Sequence, residues 1–471
     1  MAESFYRAPL ERAFSNAIDY LDALDAAPVG ATATLEELRA RLARPLAQDG
    51  LDAAKVIDEL VKDTAGGILG STGGRFFAWV IGGSIPAALA ADWLTSTWDQ
   101  NAALHACGPA EAVIEEVCGE WLKDLLGLPK AASFGLVTGC QMAHFTCLAA
   151  ARNALLARRG WNVERKGLAG APQIRVVSGS HRHGTFERAL RFLGLGSDSI
   201  IDVPLDGEGR VREDSLAAAL GQADDVPTIV LLQAGDINLG AYDRFDSLVP
   251  LAHSHDAWVH VDGAFGLWVA ACPSRRHLVA GAAGADSWAT DGHKWLNVPY
   301  DCGYAFVKDP AAHEASMSMR ASYLVTAEEA RDQVDWNPEL SRRGRGVATY
   351  AAIRQLGRTG VADLIERTCR RAHELVTRIG ALPGAEMVWE PSINQGLVRF
   401  LDPRKGAIES DHDRRTDKVI QAIVTTGEAF FGGTTWSGKR CMRVSVCNWR
   451  TSTSDVDRVV AAVRSVLESM S

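Results

Sequence analysis

The chain is predicted to be an α/β protein built on a mainly parallel sheet, with a helical segment before it and a small α+β domain after it. Two observations carry this. Between about residues 100 and 310, short uninterrupted apolar runs alternate with helical patterns. Strands apolar on both faces belong to a sheet covered by helices on both sides. Its length of 471 residues also exceeds what one hydrophobic core supports. The expected segments are a helical stretch over 1–75, a large α/β domain over 76–330 and a small α+β domain over 331–471.

In the first segment Phe14, Ile18 and Leu21 share a helical face. Thr34-Leu35-Glu36-Glu37 reads as a capping box opening a helix that ends by Pro45. Val56, Ile57, Leu60 and Val61 stripe a third helix. Three short amphipathic helices need another surface to cover them, such as a partner subunit. Glycines 66, 67, 70, 73 and 74 mark a flexible join. The expected strands follow at Phe134–Val137, Ile174–Val177, Thr228–Leu232, Trp258–Val261 and Tyr304–Val307, with Cys441–Val446 in the small domain. Ligands of such sheets lie beyond the carboxyl ends of the strands.

The bulk numbers exclude several classes. A net charge of −9 argues against a nucleic-acid partner. No apolar stretch is long and pure enough for a bilayer span, and the first residues do not read as a signal peptide. The nine cysteines are scattered and odd in number, without a Cys-x-x-Cys pair. They read as reduced cytoplasmic thiols, with neither a disulfide framework nor a metal site. The His181-Arg182-His183 run has no third ligand spaced to complete a metal set.

Four motifs follow strands. Lys294 lies in Trp288-Ala-Thr-Asp-Gly-His-Lys-Trp-Leu296, thirty-two positions after Asp262, which ends Val259-His-Val-Asp262. A lysine amine shielded by Trp288, His293 and Trp295 is expected to lose its proton more easily and so to be a nucleophile. A strand-end carboxylate needs a cationic partner. Thr138-Gly139-Cys140-Gln141 opens a helix whose free N–H groups suit a phosphate. His183 follows the next strand and is a candidate to stack on a ring and meet a substrate carboxylate, with His181 as its nearest rival. An aspartate and a downstream His-Lys pair at this spacing resemble the way fold-type I pyridoxal-phosphate enzymes hold their cofactor.

The blocks Arg75-Phe-Phe-Ala-Trp79, His183-Gly-Thr-Phe-Glu-Arg-Ala189, His260-Val-Asp-Gly-Ala264 and His293-Lys-Trp-Leu296 with Asp301-Cys302 make the chain resemble the group II pyridoxal-phosphate-dependent amino acid decarboxylases, the superfamily of aromatic-amino-acid and glutamate decarboxylases. The resemblance runs from about residue 70 to the C-terminus. It implies an aspartate aminotransferase-like fold with a seven-stranded sheet, pyridoxal 5'-phosphate as cofactor, an amino acid substrate and a homodimer with shared active sites. It also implies Lys294 as the imine-forming amine, Asp262 on the pyridine nitrogen, His183 on the ring face and Ala264 beneath the ring. Gly139, Cys140, Gln141 and His293 are implied to hold the phosphate.

The chain departs from the family pattern at several points. The cradle lacks the usual hydroxyl and glutamate, Asp291 stands where an asparagine is common, and Asp236 where a threonine is. Aligned on Trp336 and Ser341-Arg-Arg343, Gln333 falls where aromatic decarboxylases carry a loop tyrosine, while Tyr323 and Tyr350 lie in other registers. The expected reaction is α-decarboxylation of an L-amino acid, possibly aromatic or bulky. The alternatives are decarboxylation-dependent oxidative deamination to an aldehyde and C–S β-elimination on an amino-acid conjugate. Aminotransfer, for which Arg443 and Arg450 are candidate carboxylate clamps, stands behind these, as does a binding protein that has lost catalysis.

Overall fold

A computed structural model describes residues 5–222, 225–319 and 330–470. The chain divides into two compact units: 82–373 with 389–396, and 1–81 with 374–388 and 397–471.

The larger unit opens with α4 (Pro86–Trp98) and α5 (Pro109–Leu125), after α1 (Arg7–Ala23), α2 (Leu35–Leu42) and α3 (Ala53–Thr64) of the smaller unit. Its sheet strands are β1 (Ser133–Val137), β2 (Arg175–Gly179), β3 (Ile200–Val203), β4 (Thr228–Gln233), β5 (Trp258–Asp262), β6 (Ser287–Asp291) and β7 (Gly303–Val307). Between and after them run α6 (Cys140–Ala157), α7 (Val163–Lys166), α8 (Gly184–Phe192), α9 (Glu213–Leu220), α10 (Phe245–His253), α11 (Pro310–Met317) and α12 (Gly346–Gly380). The strand order is β1-β7-β6-β5-β4-β2-β3, and only β7 runs against its neighbours. The carboxyl ends of the other six strands therefore share one edge. The seven-stranded, mainly parallel sheet is as expected.

Local sequence explains the layering. The β4 run Thr-Ile-Val-Leu-Leu-Gln is buried at every position, as β-branched and apolar residues are in a sheet covered on both faces. Helix α6 lays Ala143, Cys147, Leu148, Ala151 and Leu155 into the core formed with β1, β2 and β5. Its small side chains let the helix approach the sheet closely.

The smaller unit carries β8 (Ala385–Trp389), β9 (Gln395–Phe400), β10 (Gly432–Trp436) and β11 (Lys439–Ser445) in the order β10-β11-β9-β8, with α13 (Glu409–Thr425) and α14 (Thr453–Ser469). Its α2 starts at the expected capping box: Thr34 Oγ1 accepts from Glu37 N and Glu37 Oε2 accepts from Thr34 N.

The expected three segments and the two observed units differ at both boundaries. The glycine-rich stretch is fastened rather than loose. Thr32 N and Ala33 N donate to Gly66 O, and Gly70 N donates to Val29 O. The buried Arg75 guanidinium donates to Glu428 O at 2.6 Å and Ala27 O at 2.9 Å. These bonds tie residues 27–81 to 427–431 within one unit. Residues 331–373 belong with the large sheet. Arg342, fully buried, donates to Glu115 Oε1 at 2.7 Å and to the carbonyls of Ala102 and Leu136. Removing one partner from a buried pair of this kind costs about 3–5 kcal/mol, because the other charge is left unpaired.

Phe14, Leu35, Leu42, Val56, Leu60 and Val61 on α1–α3 stay exposed. Among the described residues no helix is long and apolar enough to cross a membrane.

Candidate active site

The site is assembled by strand register. Gly303 at the start of β7 pairs with Val137 of β1 on one side and Asp291 of β6 on the other. A Cβ at Gly303 would lie 2.5 Å from Gly139 Cα and 2.9 Å from Asp291 Oδ1. The missing side chain thus lets the ends of two non-adjacent strands meet.

Asp262 ends β5, with Gln233 and Ala289 beside it in register. It is 6% exposed. Its Oδ1 accepts from Ala264 N at 3.1 Å, and its Oδ2 lies 3.5 Å from His144 Nε2. Burial disfavours the charge, but His144 and the Lys294 ammonium outweigh it and hold this carboxyl well below the usual range.

Lys294 follows β6. Its Nζ lies 3.2 Å from Asp291 Oδ2. Burial works against the ammonium, yet the negative field of Asp291, with Asp262 behind it, prevails and raises the pKa of Lys294 above its ordinary value. This corrects the expectation that shielding eases deprotonation: the neighbouring carboxylates hold the proton on. The backbone here is clamped. Ile85 N donates to Asn297 O, and Gly83 N donates to Asn297 Oδ1. A Cβ at Gly82 would sit 2.0 Å from Lys294 O.

At the start of α6, Cys140 N donates to Asp291 Oδ1 at 2.6 Å. His293 Nε2 lies 3.6 Å from the same oxygen, and its Nδ1 accepts from Cys302 N at 3.1 Å. Its proton therefore sits on Nε2, facing Asp291. Burial lowers the pKa of His293 and keeps the ring neutral. The ring stacks on Tyr300 with centroids 4.2 Å apart.

Lys294, Asp262, Ala264, Gly139, Cys140 and His293 come together around Asp291, whose N–H also donates to Ala264 O at 3.0 Å. Two candidates have contacts outside this group. Gln141 Oε1 accepts from Arg188 Nη1 at 3.3 Å. His183 is exposed, caps α8 through Nδ1 and Thr185 N, and lies at the end of β2, with β4 between it and β5. Asp236 is spent on its own turn, accepting from the N–H groups of Asn238, Leu239 and Ala241. Gln333 is fully buried, its Oε1 accepting from Arg331 and its carbonyl accepting from Asn337 Nδ2 at 2.9 Å. It is therefore an anchored turn residue and not the tip of a loop. Tyr350 stacks on Trp121, and Tyr323 lies outside the described residues. Of the candidate clamps, Arg450 pairs with Asp25 at 3.1 Å.

Sequence reasoning missed His144. It sits one helical turn after Cys140 and 2.9 Å from His260. The signal was present as a Trp258-x-His260-x-Asp262 alternation, which puts three polar-tipped side chains on one face of β5. Cys140, His144 and Asp262 place ligand atoms within 4.8 Å of one another. They make a poor metal set, since His144 Nδ1 is engaged by His260 and burial pushes the Cys140 thiol well above its usual value.

The donor set suits pyridoxal phosphate. A lysine amine and a buried anionic carboxylate come from neighbouring strands. The cradle at Cys140 already holds an anionic oxygen, that of Asp291, so its N–H receives anions. That carboxylate must give way to a phosphate.

The profile of the pyridoxal-dependent decarboxylase conserved domain matches residues 36–401. The aromatic-L-amino-acid decarboxylase of Bacillus atrophaeus is 24% identical over 461 residues, covering 96% of this chain and 94% of its own. The 4-hydroxyphenylacetaldehyde synthase of Rhodiola rosea is 24% identical over 408 residues, 84% of this chain and 81% of its own. A solved structure of Oryza sativa TDC with PLP and tryptamine superposes with a TM-score of 0.91 at 23% identity, covering 99% of this chain and 98% of that one.

Proposed function

The chain belongs to the pyridoxal-dependent decarboxylase family, and from that premise we propose that it removes the α-carboxylate of an L-amino acid, with Lys294 holding the cofactor. One observation carries the assignment of residues: Lys294 and Asp262 leave adjacent parallel strands at the same edge and feel each other's charge. Bound pyridoxal phosphate supplies the electron sink for the bond broken at the substrate's α-carbon. The residues do the rest. Asp262 presents a carboxylate to the ring nitrogen. Lys294 would hold the cofactor through its amine, which must first shed the proton that Asp291, 3.2 Å from Nζ, stabilises. His293 Nε2–H and Cys140 N–H are donors for the phosphate once Asp291 turns away. His183, exposed at the end of β2, is proposed to meet the ring face and the substrate carboxylate, and Ala264 to pack beneath the ring.

A second reading is aldehyde formation, in which the amino acid, oxygen and water give aldehyde, carbon dioxide, ammonia and hydrogen peroxide. The burial of Gln333 favours it, because that position offers no acid to return a proton to the substrate carbon. The similarity to an aldehyde synthase points the same way. Holoenzyme incubated with single L-amino acids under air and under nitrogen is expected to release carbon dioxide and the amine equally in both. Aldehyde with oxygen consumption would overturn this in favour of the second reading, and no carbon dioxide from any amino acid would overturn both.

We further infer a homodimer in which segment 1–75 covers the partner. The exposed apolar residues of α1–α3 support it, since a face of this kind is costly in water. Sedimentation equilibrium should give twice the single-chain mass, and a truncation to residue 76 should not reach it. A monomer at micromolar concentration would refute the dimer. Nine cysteines outside any disulfide, eight of them buried, fit a reducing cytoplasm; recovery of the native protein from an oxidising compartment would count against that placement.

A further inference from the structure

Behind Asp262 a file of buried polar groups crosses the core between α6, β5 and β6. Asp262 Oδ2 lies 3.5 Å from His144 Nε2. His144 Nδ1 lies 2.9 Å from His260 Nε2, and His260 Nδ1 lies 2.8 Å from Ser287 Oγ. Trp258 Nε1 donates to Ser287 Oγ at 2.9 Å. His144, His260 and Ser287 are fully buried, and Trp258 nearly so. The Phe186 ring seals the pair, edge-on to His144 and stacked on His260 at 6.1 Å. The other polar group facing His144 Nε2 is Cys140 Sγ at 3.5 Å.

With both imidazoles neutral, hydrogen counting restricts this file to two senses. An indole N–H only donates, so Ser287 Oγ accepts at that end. In one sense Ser287 gives its single proton to His260 Nδ1, His260 Nε2–H donates to His144 Nδ1, and His144 Nε2–H points at Asp262. In the other sense every imidazole proton is reversed, and a ring lone pair faces the carboxylate. That sense leaves the buried Asp262 Oδ2 facing a lone pair, with only Oδ1 supplied by Ala264 N, and is the costlier arrangement. The Asp262 end therefore decides the sense.

We propose that His144, His260 and Ser287 are positioning residues that fix both imidazoles as neutral Nε2–H tautomers, so that Asp262 is presented to the cofactor ring as a carboxylate already supplied with a donor. The inference rests on the decarboxylase reading for its consequence but not for its geometry. Three strands of sequence have to cooperate: a helical residue one turn after Cys140, alternate residues of β5, and the first residue of β6.

The test uses full-length protein with 15N-labelled histidine. In the cofactor-free protein, long-range 1H–15N correlations should give His144 and His260 the Nε2–H pattern. The variants His144→Gln and His144→Leu then separate positioning from packing. Glutamine offers an acceptor to His260 and a donor to Asp262, so its affinity for pyridoxal phosphate should stay within about threefold of wild type. Leucine should weaken it by ~10–100-fold, the scale for losing the outer partner of a ligand. Ser287→Ala should free His260 to adopt the Nδ1–H form, and Ser287→Thr should restore the lock. An Nδ1–H tautomer at either histidine in wild type, or a leucine variant that binds as tightly as wild type, overturns the proposal. Wild type that takes up no pyridoxal phosphate would instead overturn the decarboxylase reading and leave the tautomer result standing.

Discussion

Lys294→Ala is expected to abolish covalent capture of the cofactor. Borohydride reduction of wild-type holoenzyme should fix one cofactor to the peptide containing Lys294, while the alanine variant should carry none. Turnover should fall by at least ~10²–10⁴-fold, the range for losing a positioned acid–base group, since the lysine also supplies the attachment. The variant should remain folded. Lys294 is a buried cation whose partner Asp291 keeps two further contacts, Cys140 N and His293. A reducible adduct retained in the alanine variant would move the assignment to another amine.

The second large effect is expected at Asp291→Asn. This carboxylate draws three donors to itself: Cys140 N–H, His293 Nε2 and Lys294 Nζ. Two of these three are groups proposed to hold a phosphate. Two unit charges of like sign at 4 Å repel by about 4 kcal/mol at an effective dielectric constant near 20. Even a third of that is about tenfold in affinity. Asparagine keeps an oxygen for Cys140 N–H and adds a donor while removing the charge. Pyridoxal phosphate should therefore bind the variant about tenfold tighter or better, as read by equilibrium titration of visible absorbance. Inorganic phosphate should raise the melting temperature of the cofactor-free variant more than that of wild type. Weaker cofactor binding by the variant would mean that the carboxylate's grip on Lys294 matters more than its repulsion.

The same residues show how far a sequence can be read. Asp262 was legible because it ends an apolar strand, and Lys294 because its spacing from Asp262 and its His-Lys-Trp-Leu run are distinctive. The strands around them were legible where they are runs of β-branched residues, as in Thr228–Gln233. Strand β6, Ser-Trp-Ala-Thr-Asp, escaped as a strand because its composition is mixed and its place in the sheet is set by pairing with β5 and β7. Edge strand β3 escaped for being four residues long. His144 was invisible because its meaning lies in a contact across 116 residues. The aspartate at 291 was legible as a departure from the family's asparagine, but its orientation was not: it turns inward because a helix N-terminus and an ammonium both attract it. The glycines before residue 75 suggested slack, yet their backbone groups are bonded to a neighbouring turn, a pairing that no local pattern encodes. Gln333, aligned with the family's loop tyrosine, is buried with Arg331 bonded to it, a contact no local pattern encodes.

The clamp on the peptide around Lys294 has one more consequence. Gly82 lies against its carbonyl, and Asn297 is bonded to residues 83 and 85, so the anchor point of the side chain is rigid while its far end rests 3.2 Å from Asp291 Oδ2. Should Lys294 hold the cofactor as proposed, an amine released from it would stay tethered near its former position, and its return would be intramolecular at high effective concentration. A slacker anchor would let that end explore more volume and would slow the reset between turnovers.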